Sequence, residues 1–250
     1  MADLKFSKRD LADNPSTRLP VCLVLDTSDS MQGERIEELN KGVKMFMDAI
    51  SEDEILKYSS DIAIVTFGNK EFSEYTDVGE KNPVNGVKKI FDFDIVEKHQ
   101  VPIFTAAPKG YTPMGEAVDT AIRMLSERKF IYKENGIEYY QPWMVLMTDG
   151  QPYDYYTANG ASTENSAAQS RELISSNKLT IFGIGVGKDV SMEVLARFLP
   201  KSTKFPPLKL RELNFKEFFD WLTDSMHLIK ESMPGDSVTL PQTTWAEIKI

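Results

Sequence analysis

The chemistry in this sequence concentrates where an apolar run stops. Val21-Cys-Leu-Val-Leu25 is followed at once by Asp26-Thr-Ser-Asp-Ser30, so a carboxylate and two hydroxyls recur at a spacing of two. The run is aliphatic and β-branched and too short to cross a membrane, which predicts a buried strand. A turn at its end lets Asp26, Ser28 and Ser30 converge on one point. In open α/β sheets, the C-terminal ends of the strands are where ligands bind. A second apolar run, Trp143-Met-Val-Leu-Met147, ends in the same manner, in Thr148-Asp149-Gly150. A third polar turn, Tyr111-Thr112-Pro113, opens a helical stretch. If the two strands are neighbours, these three turns meet at one edge of the sheet.

Positioning those turns falls to a chain that alternates strand and helix. Ile36, Leu39, Val43, Phe46, Met47 and Ile50 recur at helical spacing and predict an amphipathic helix over about 33–51. Glu34, Glu37 and Glu38 lie in its first turns, where negative charge suits the helix dipole. Asp61–Phe67 reads as a second strand, and Gly68-Asn69 turns the chain into Glu71–Val78, an expected antiparallel edge strand. Residues 81–109 are expected to be an insertion near the site, with a short helix around Val87–Phe91. Thr112 is a natural N-cap and Pro113 a natural first helical residue. Later come a helix near 162–176, a strand Leu179–Val186, a short helix capped by Ser191 and a last strand over 204–208. Phe215, Phe218, Phe219, Leu222, Met226 and Ile229 line a final helix, which Asn214 and Glu217 open as a capping box. The alternation predicts one doubly wound, mainly parallel α/β sheet with helices on both faces and one antiparallel edge strand. Residues 1–18 are expected to be an arm, 19–230 the domain, and 231–250 a tail containing Trp245.

The bulk numbers narrow the function. With 38 acids against 29 bases the net charge is −9, which argues against a general nucleic-acid binder and suits a cation site. Apolar residues make up 41% of the 250, enough for a sizeable core and against disorder. Cys22 is the only cysteine, so there is no disulfide framework and no cysteine-based zinc site. It reads as a small buried hydrophobe. No apolar stretch approaches the roughly 20 residues of a membrane span, and the first ten residues are polar. A cytoplasmic protein that engages neither membrane nor nucleic acid is the expectation.

Over residues 19–230 the arrangement resembles the von Willebrand factor A (VWA) domain. The hallmark of that family is a metal-ion-dependent adhesion site: Asp-x-Ser-x-Ser, a distant Thr and a distant Asp. The matching positions are Asp26, Ser28, Ser30, Thr112 and Asp149. The resemblance implies direct metal ligation by Ser28, Ser30 and Thr112, with Asp26 and Asp149 acting mostly through waters. Three hydroxyls and two carboxylates suit a hard cation such as Mg²⁺, with Mn²⁺ or Ca²⁺ as alternatives. Neutral direct ligands leave the ion's charge poorly offset, so the implied partner is a protein presenting Glu or Asp. Such a site binds and needs no nucleophile, so no enzymatic activity is expected. Within the class, Arg18–Asp26, Leu146–Pro152 and Leu208–Leu222 resemble bacterial tellurium-resistance-associated, TerY-like proteins. That resemblance implies a protein kinase and a PP2C-type phosphatase as partners in a stress-response setting.

Plainer readings stand beside these. Taken singly, Thr112 is an N-cap, Ser28 and Ser30 cap the next helix, and Asp149-Gly150 is a turn. Asp26 also invites a haloacid-dehalogenase-type phosphatase, although Ser28 occupies the place where that chemistry wants a second acid. A scaffold that holds no metal is a third reading. Gly183-Ile-Gly-Val-Gly187 hints at a dinucleotide loop but lacks a clear acidic ribose partner, and reads better as a tightly packed strand end. His99 and His227 form no obvious triad. Asp29 departs from the family, which has Gly between the two serines; it adds negative charge and removes glycine's freedom in a tight turn.

Overall fold

All eight residues of Leu19–Asp26 are buried, as a strand covered on both faces must be. The computed structural model describes residues 16–68, 86–94, 100–107, 112–152, 163–188, 190–236, 238–243 and 246–248. Its strands are β1 (Leu19–Asp26), β2 (Ser60–Phe67), β3 (Val87–Asp94), β4 (Trp143–Thr148), β5 (Thr180–Gly185), β6 (Leu208–Leu210) and β7 (Ala246–Ile248). They form one sheet in the order β3-β2-β1-β4-β5-β6-β7. The five central strands run parallel. Both edges, β3 and β7, are antiparallel to their neighbours. The doubly wound α/β sheet read from the alternation is therefore the observed fold.

The helices are α1 (Glu34–Glu52), α2 (Leu56–Ser59), α3 (Met114–Glu134), α4 (Thr163–Ser175), α5 (Met192–Arg197) and α6 (Phe215–Lys230). Alternate side chains of each central strand enter different cores. Leu19, Val21, Leu23 and Leu25 join a cluster with the inner faces of α1 and α6. Cys22 and Val24 join the cluster beneath α3, α4 and α5. Burial pushes the Cys22 thiol well up, so it stays protonated and serves as packing. Because α1 and α3 lie on opposite faces, the chain leaves β1 and enters β4 around a crevice at their C-terminal ends, the topological switch point.

Several expectations need correction. Val87–Phe91 is not a helix but the start of β3, so much of the supposed insertion belongs to the sheet. Val87 and Phe93 are buried while Lys88 and Lys89 face out, and the free edge of β2 supplies the ladder. Tertiary pairing overrides so short a local pattern. The supposed tail returns to the fold: β7 pairs with β6, and Trp221 Nε1 donates to Pro241 O at 2.9 Å. Arg18, assigned to the arm, is buried and exchanges backbone hydrogen bonds with the Glu138–Tyr140 segment. The last parallel strand is Leu208–Leu210 rather than 204–208, and Asn214 and Ser191 cap without side-chain hydrogen bonds. Residues 1–15 of the arm, the Glu71–Val78 strand, His99, Tyr111 and Trp245 lie outside the described residues.

Candidate metal centre

The site begins with strand register. β1 and β4 pair in parallel with Leu25 opposite Met147, so Asp26 and Thr148 are the next residues side by side. Thr148 Oγ1 donates to Asp26 Oδ2 at 2.6 Å, and Ser28 N donates to Asp26 Oδ1 at 2.9 Å. Asp26 is wholly buried with both oxygens committed, so it does not present the exposed nucleophile a phosphatase needs. Burial pushes its carboxyl up to about 6; hydrogen bonds from Ser28 and Thr148 oppose that rise, and the nearby Asp149 charge adds to it.

Beyond Asp26 the chain is held from the side. Thr27 N and Oγ1 both donate to Phe67 O, at 2.7 and 2.8 Å. Gly68, at φ +97°, lies so close that a Cβ there would sit 2.5 Å from Ser28 N. Only glycine allows that approach. A single 3₁₀ turn, Asp29–Met31, follows, and the N-cap of α1 is Gly33. Ser28 and Ser30 are therefore not caps of that helix. Their hydroxyls lie 3.2 Å apart and share a hydrogen bond, and Ser30 Oγ donates to Asp149 Oδ1 at 2.6 Å. Asp29 is exposed and accepts a hydrogen bond from Gln32. Among the described residues only Asn177 and Glu212 are non-glycine residues at positive φ, so Asp29 needs none of glycine's freedom.

Thr112 arrives from the opposite face. The N-cap of α3 is Pro113, one residue later than expected, and Met114 N donates to Thr112 O at 2.8 Å. The Thr112 hydroxyl is thus not spent on a cap. A Cβ placed on Gly150 would lie 3.4 Å from Thr112 Oγ1 and 3.9 Å from both Asp26 Oδ2 and Ser30 Oγ. Three segments of chain therefore aim oxygens at one small volume, and all five residues singled out from the sequence lie at this end of the sheet. Among the described residues no three His, Cys, Asp or Glu gather as a metal cluster. The donor set here is hydroxyl and carboxylate, which matches a hard cation.

Two participants were missed. Thr148 fixes the orientation of Asp26, and its place at the end of β4 beside Asp149 was the available signal. Arg35 Nη1 donates to Asp149 Oδ2 in a close ion pair and to Ser30 O at 3.1 Å. The signal for it was a basic residue in the first turn of a helix, the end of the dipole that repels cations. Elsewhere, His227 Nε2 pairs with Asp53 Oδ2 at 3.1 Å, far from catalytic company. The glycine run near Gly185 is a packed strand end, where a Cβ would meet Met192 Sδ at 2.6 Å.

The sequence pattern of the von Willebrand factor type A domain matches residues 21–206. Among curated protein sequences none matches this chain. Solved structures align with it at low identity. Proximal thread matrix protein 1 (PTMP1) from the mussel byssus, with a zinc-occupied MIDAS motif, aligns at TM-score 0.56 and 17% identity, over 84% of this chain and 48% of that one. The pilus adhesin SpaC from Lactobacillus rhamnosus GG aligns at TM-score 0.59 and 13% identity, over 86% and 32%. The vWF domain of the type V pili tip protein Mfa5 from Porphyromonas gingivalis aligns at TM-score 0.55 and 12% identity, over 89% and 99%. The chain spans about half the length of the byssus protein and about a third of SpaC. At these identities the likeness establishes a shared fold.

Proposed function

The chain belongs to the von Willebrand factor type A domain family, and from that premise we propose that it is a metal-dependent protein-interaction module. The observation that carries this reading is the convergence of Asp26, Ser28, Ser30, Thr112 and Asp149 at the switch point between β1 and β4. Ser28, Ser30 and Thr112 supply neutral oxygens that hold the ion. Asp26 and Asp149 orient those hydroxyls and hold waters, and Thr148 in turn orients Asp26. Mg²⁺ suits this set, with Mn²⁺ and Ca²⁺ as alternatives, and zinc occupies the MIDAS motif of the byssus protein. When bound, such an ion offers an open position to an anionic oxygen. The partner is then a protein that presents a Glu or Asp side chain.

At a finer level the reading is a TerY-like protein in a bacterial stress-response or tellurium-resistance system. A protein kinase and a PP2C-type phosphatase are its partners, in the cytoplasm. The support is the three resembling segments and a single cysteine that is buried.

Titration calorimetry of the full chain with Mg²⁺, Mn²⁺ and Ca²⁺ tests the site. Heat of binding is expected for the parent chain and none for Asp26→Ala or Thr112→Ala, each of which retains its circular dichroism spectrum. Capture of an acidic partner that persists unchanged in EDTA would refute the reading, as would unaltered metal binding by both variants.

A further inference from the structure

One charged side chain at the site has no role in the ligand set. Arg35 is the second residue of α1, where the positive end of the helix dipole disfavours a cation. Three acceptors or contours hold it there. Nη1 donates both to Asp149 Oδ2 and to Ser30 O, the latter at 3.1 Å. The guanidinium also lies against Gly187, two residues past β5, where φ is +76° and an added Cβ would come within 2.8 Å of Nη2. The last glycine of the run that resembled a dinucleotide loop thus makes room for an arginine. Asp149 is fully divided: Oδ1 takes the Ser30 hydroxyl and Oδ2 takes Arg35. Its side chain has no exposure, whereas that of Arg35 keeps 26% and so has a way out.

We propose that Arg35 is an internal counter-cation that competes with the divalent ion for Asp149 and so keeps metal loading weak and reversible. The proposal rests on the metal reading of the site. Two cations that share one carboxylate repel each other, and every contact Arg35 makes with Asp149 has to be weakened as an ion draws on the same charge. The coupling is reciprocal: what Arg35 takes from metal affinity, the metal takes from the Arg35–Asp149 pair.

The full chain, Arg35→Gln and Arg35→Lys are titrated with Mg²⁺ and Mn²⁺, and each is melted in EDTA and in saturating Mg²⁺. Arg35→Gln is expected to bind metal on the order of tenfold tighter. It melts lower than the parent in EDTA and regains the difference in Mg²⁺. Arg35→Lys keeps the charge and stays close to the parent affinity. Equal or weaker binding by Arg35→Gln overturns the proposal while leaving the metal site standing. A chain that binds no divalent ion, with or without Arg35, sinks both readings together. A measurement on the unaltered protein guards against a variant that does not fold. The Arg35 Nε–H resonance, assigned by its loss in Arg35→Lys, must shift during a Mg²⁺ titration with the calorimetric Kd. A stationary resonance contradicts the proposal.

Discussion

Asp61 is the residue on which the far end of the sheet depends. Its carboxylate is buried and accepts from Arg128 Nε and Nη2 at 3.1 and 2.6 Å, from Arg18 Nη1 at 3.3 Å, and from the Tyr132 hydroxyl. Arg18 also donates to Tyr58 O at 2.8 Å. Removing one partner of a buried ion pair leaves an uncompensated charge, so Asp61→Ala is expected to cost about 3–5 kcal/mol. Urea unfolding followed by circular dichroism measures it. Asp61 pairs with Pro20 near the start of β1, at the other end of the strand from Asp26. Wherever Asp61→Ala remains folded, its Mg²⁺ affinity is expected to equal that of the parent; a lost metal site would show that the two ends of the sheet are coupled. None of this network was read from the sequence, because Asp61, Arg128 and Tyr132 are separated by up to 71 residues.

Helix α1 links the core to the site. Its inner face packs on α6, where the Phe46 and Phe219 rings meet at a tilt of 38° with centroids 5.4 Å apart. Asn40 on the same helix clasps Phe104, donating to its carbonyl at 2.8 Å and accepting from its N–H at 2.7 Å. That segment continues to Ala107, whose N–H donates to Thr27 O at 2.9 Å, between Asp26 and Ser28 in the chain. At Gly42 α1 lies tight against α6: a Cβ there would lie 2.7 Å from Phe219 Cδ2 and 3.1 Å from Phe215 Cβ. On an isolated helix Gly→Ala stabilises by about 1 kcal/mol. Here overpacking opposes that gain, and forced methylenes in a filled core cost about 1–3 kcal/mol. Gly42→Ala is therefore expected to melt below the parent; a higher melting temperature would mean that α6 moves aside freely. The periodicity of α1 was legible in the sequence, but the need for glycine at 42 was not, since nothing local says which helix faces it.

Three segments far apart in sequence meet at Lys230. Lys230, the last residue of α6, donates to Thr17 O and lies 4.7 Å above the Tyr140 ring. Its ammonium falls from the ordinary 10.5 to about 8, chiefly through burial, with the Arg18 charge adding to the fall and Asp61 opposing it. Below pH 8 both folded and unfolded chains hold this proton, and the folded state bears the cost of a half-buried charge. Between about 8 and 10.5 the unfolded chain binds more protons than the folded one, so this group makes stability rise with pH across that window. Lys230→Met is expected to remove that rise. Parallel melting series of the two proteins from pH 7 to 10.5 read the difference, and identical slopes would mean that Lys230 is solvated in the fold.

Local chemistry determined the alternation of the central strands with helices, the doubly wound class and which five oxygen-bearing residues were candidates for one site. Each of those depends on short-range information: an apolar run, a helical period, an acid placed directly at a strand's end. The tertiary structure alone decided the rest. It made β3 and β7 into sheet edges, because pairing with a neighbouring strand outweighs weak local preference. It took Thr112 out of a capping role and set it near Asp26 and Ser30, because α3 begins there. It brought Arg35 onto Asp149, 114 residues away, through a notch that Gly187 leaves open. The sequence determined which groups were available to bind a cation. The register of β1 against β4 decided where they meet, and the approach of α1 decided that a cation of the protein's own stands among them.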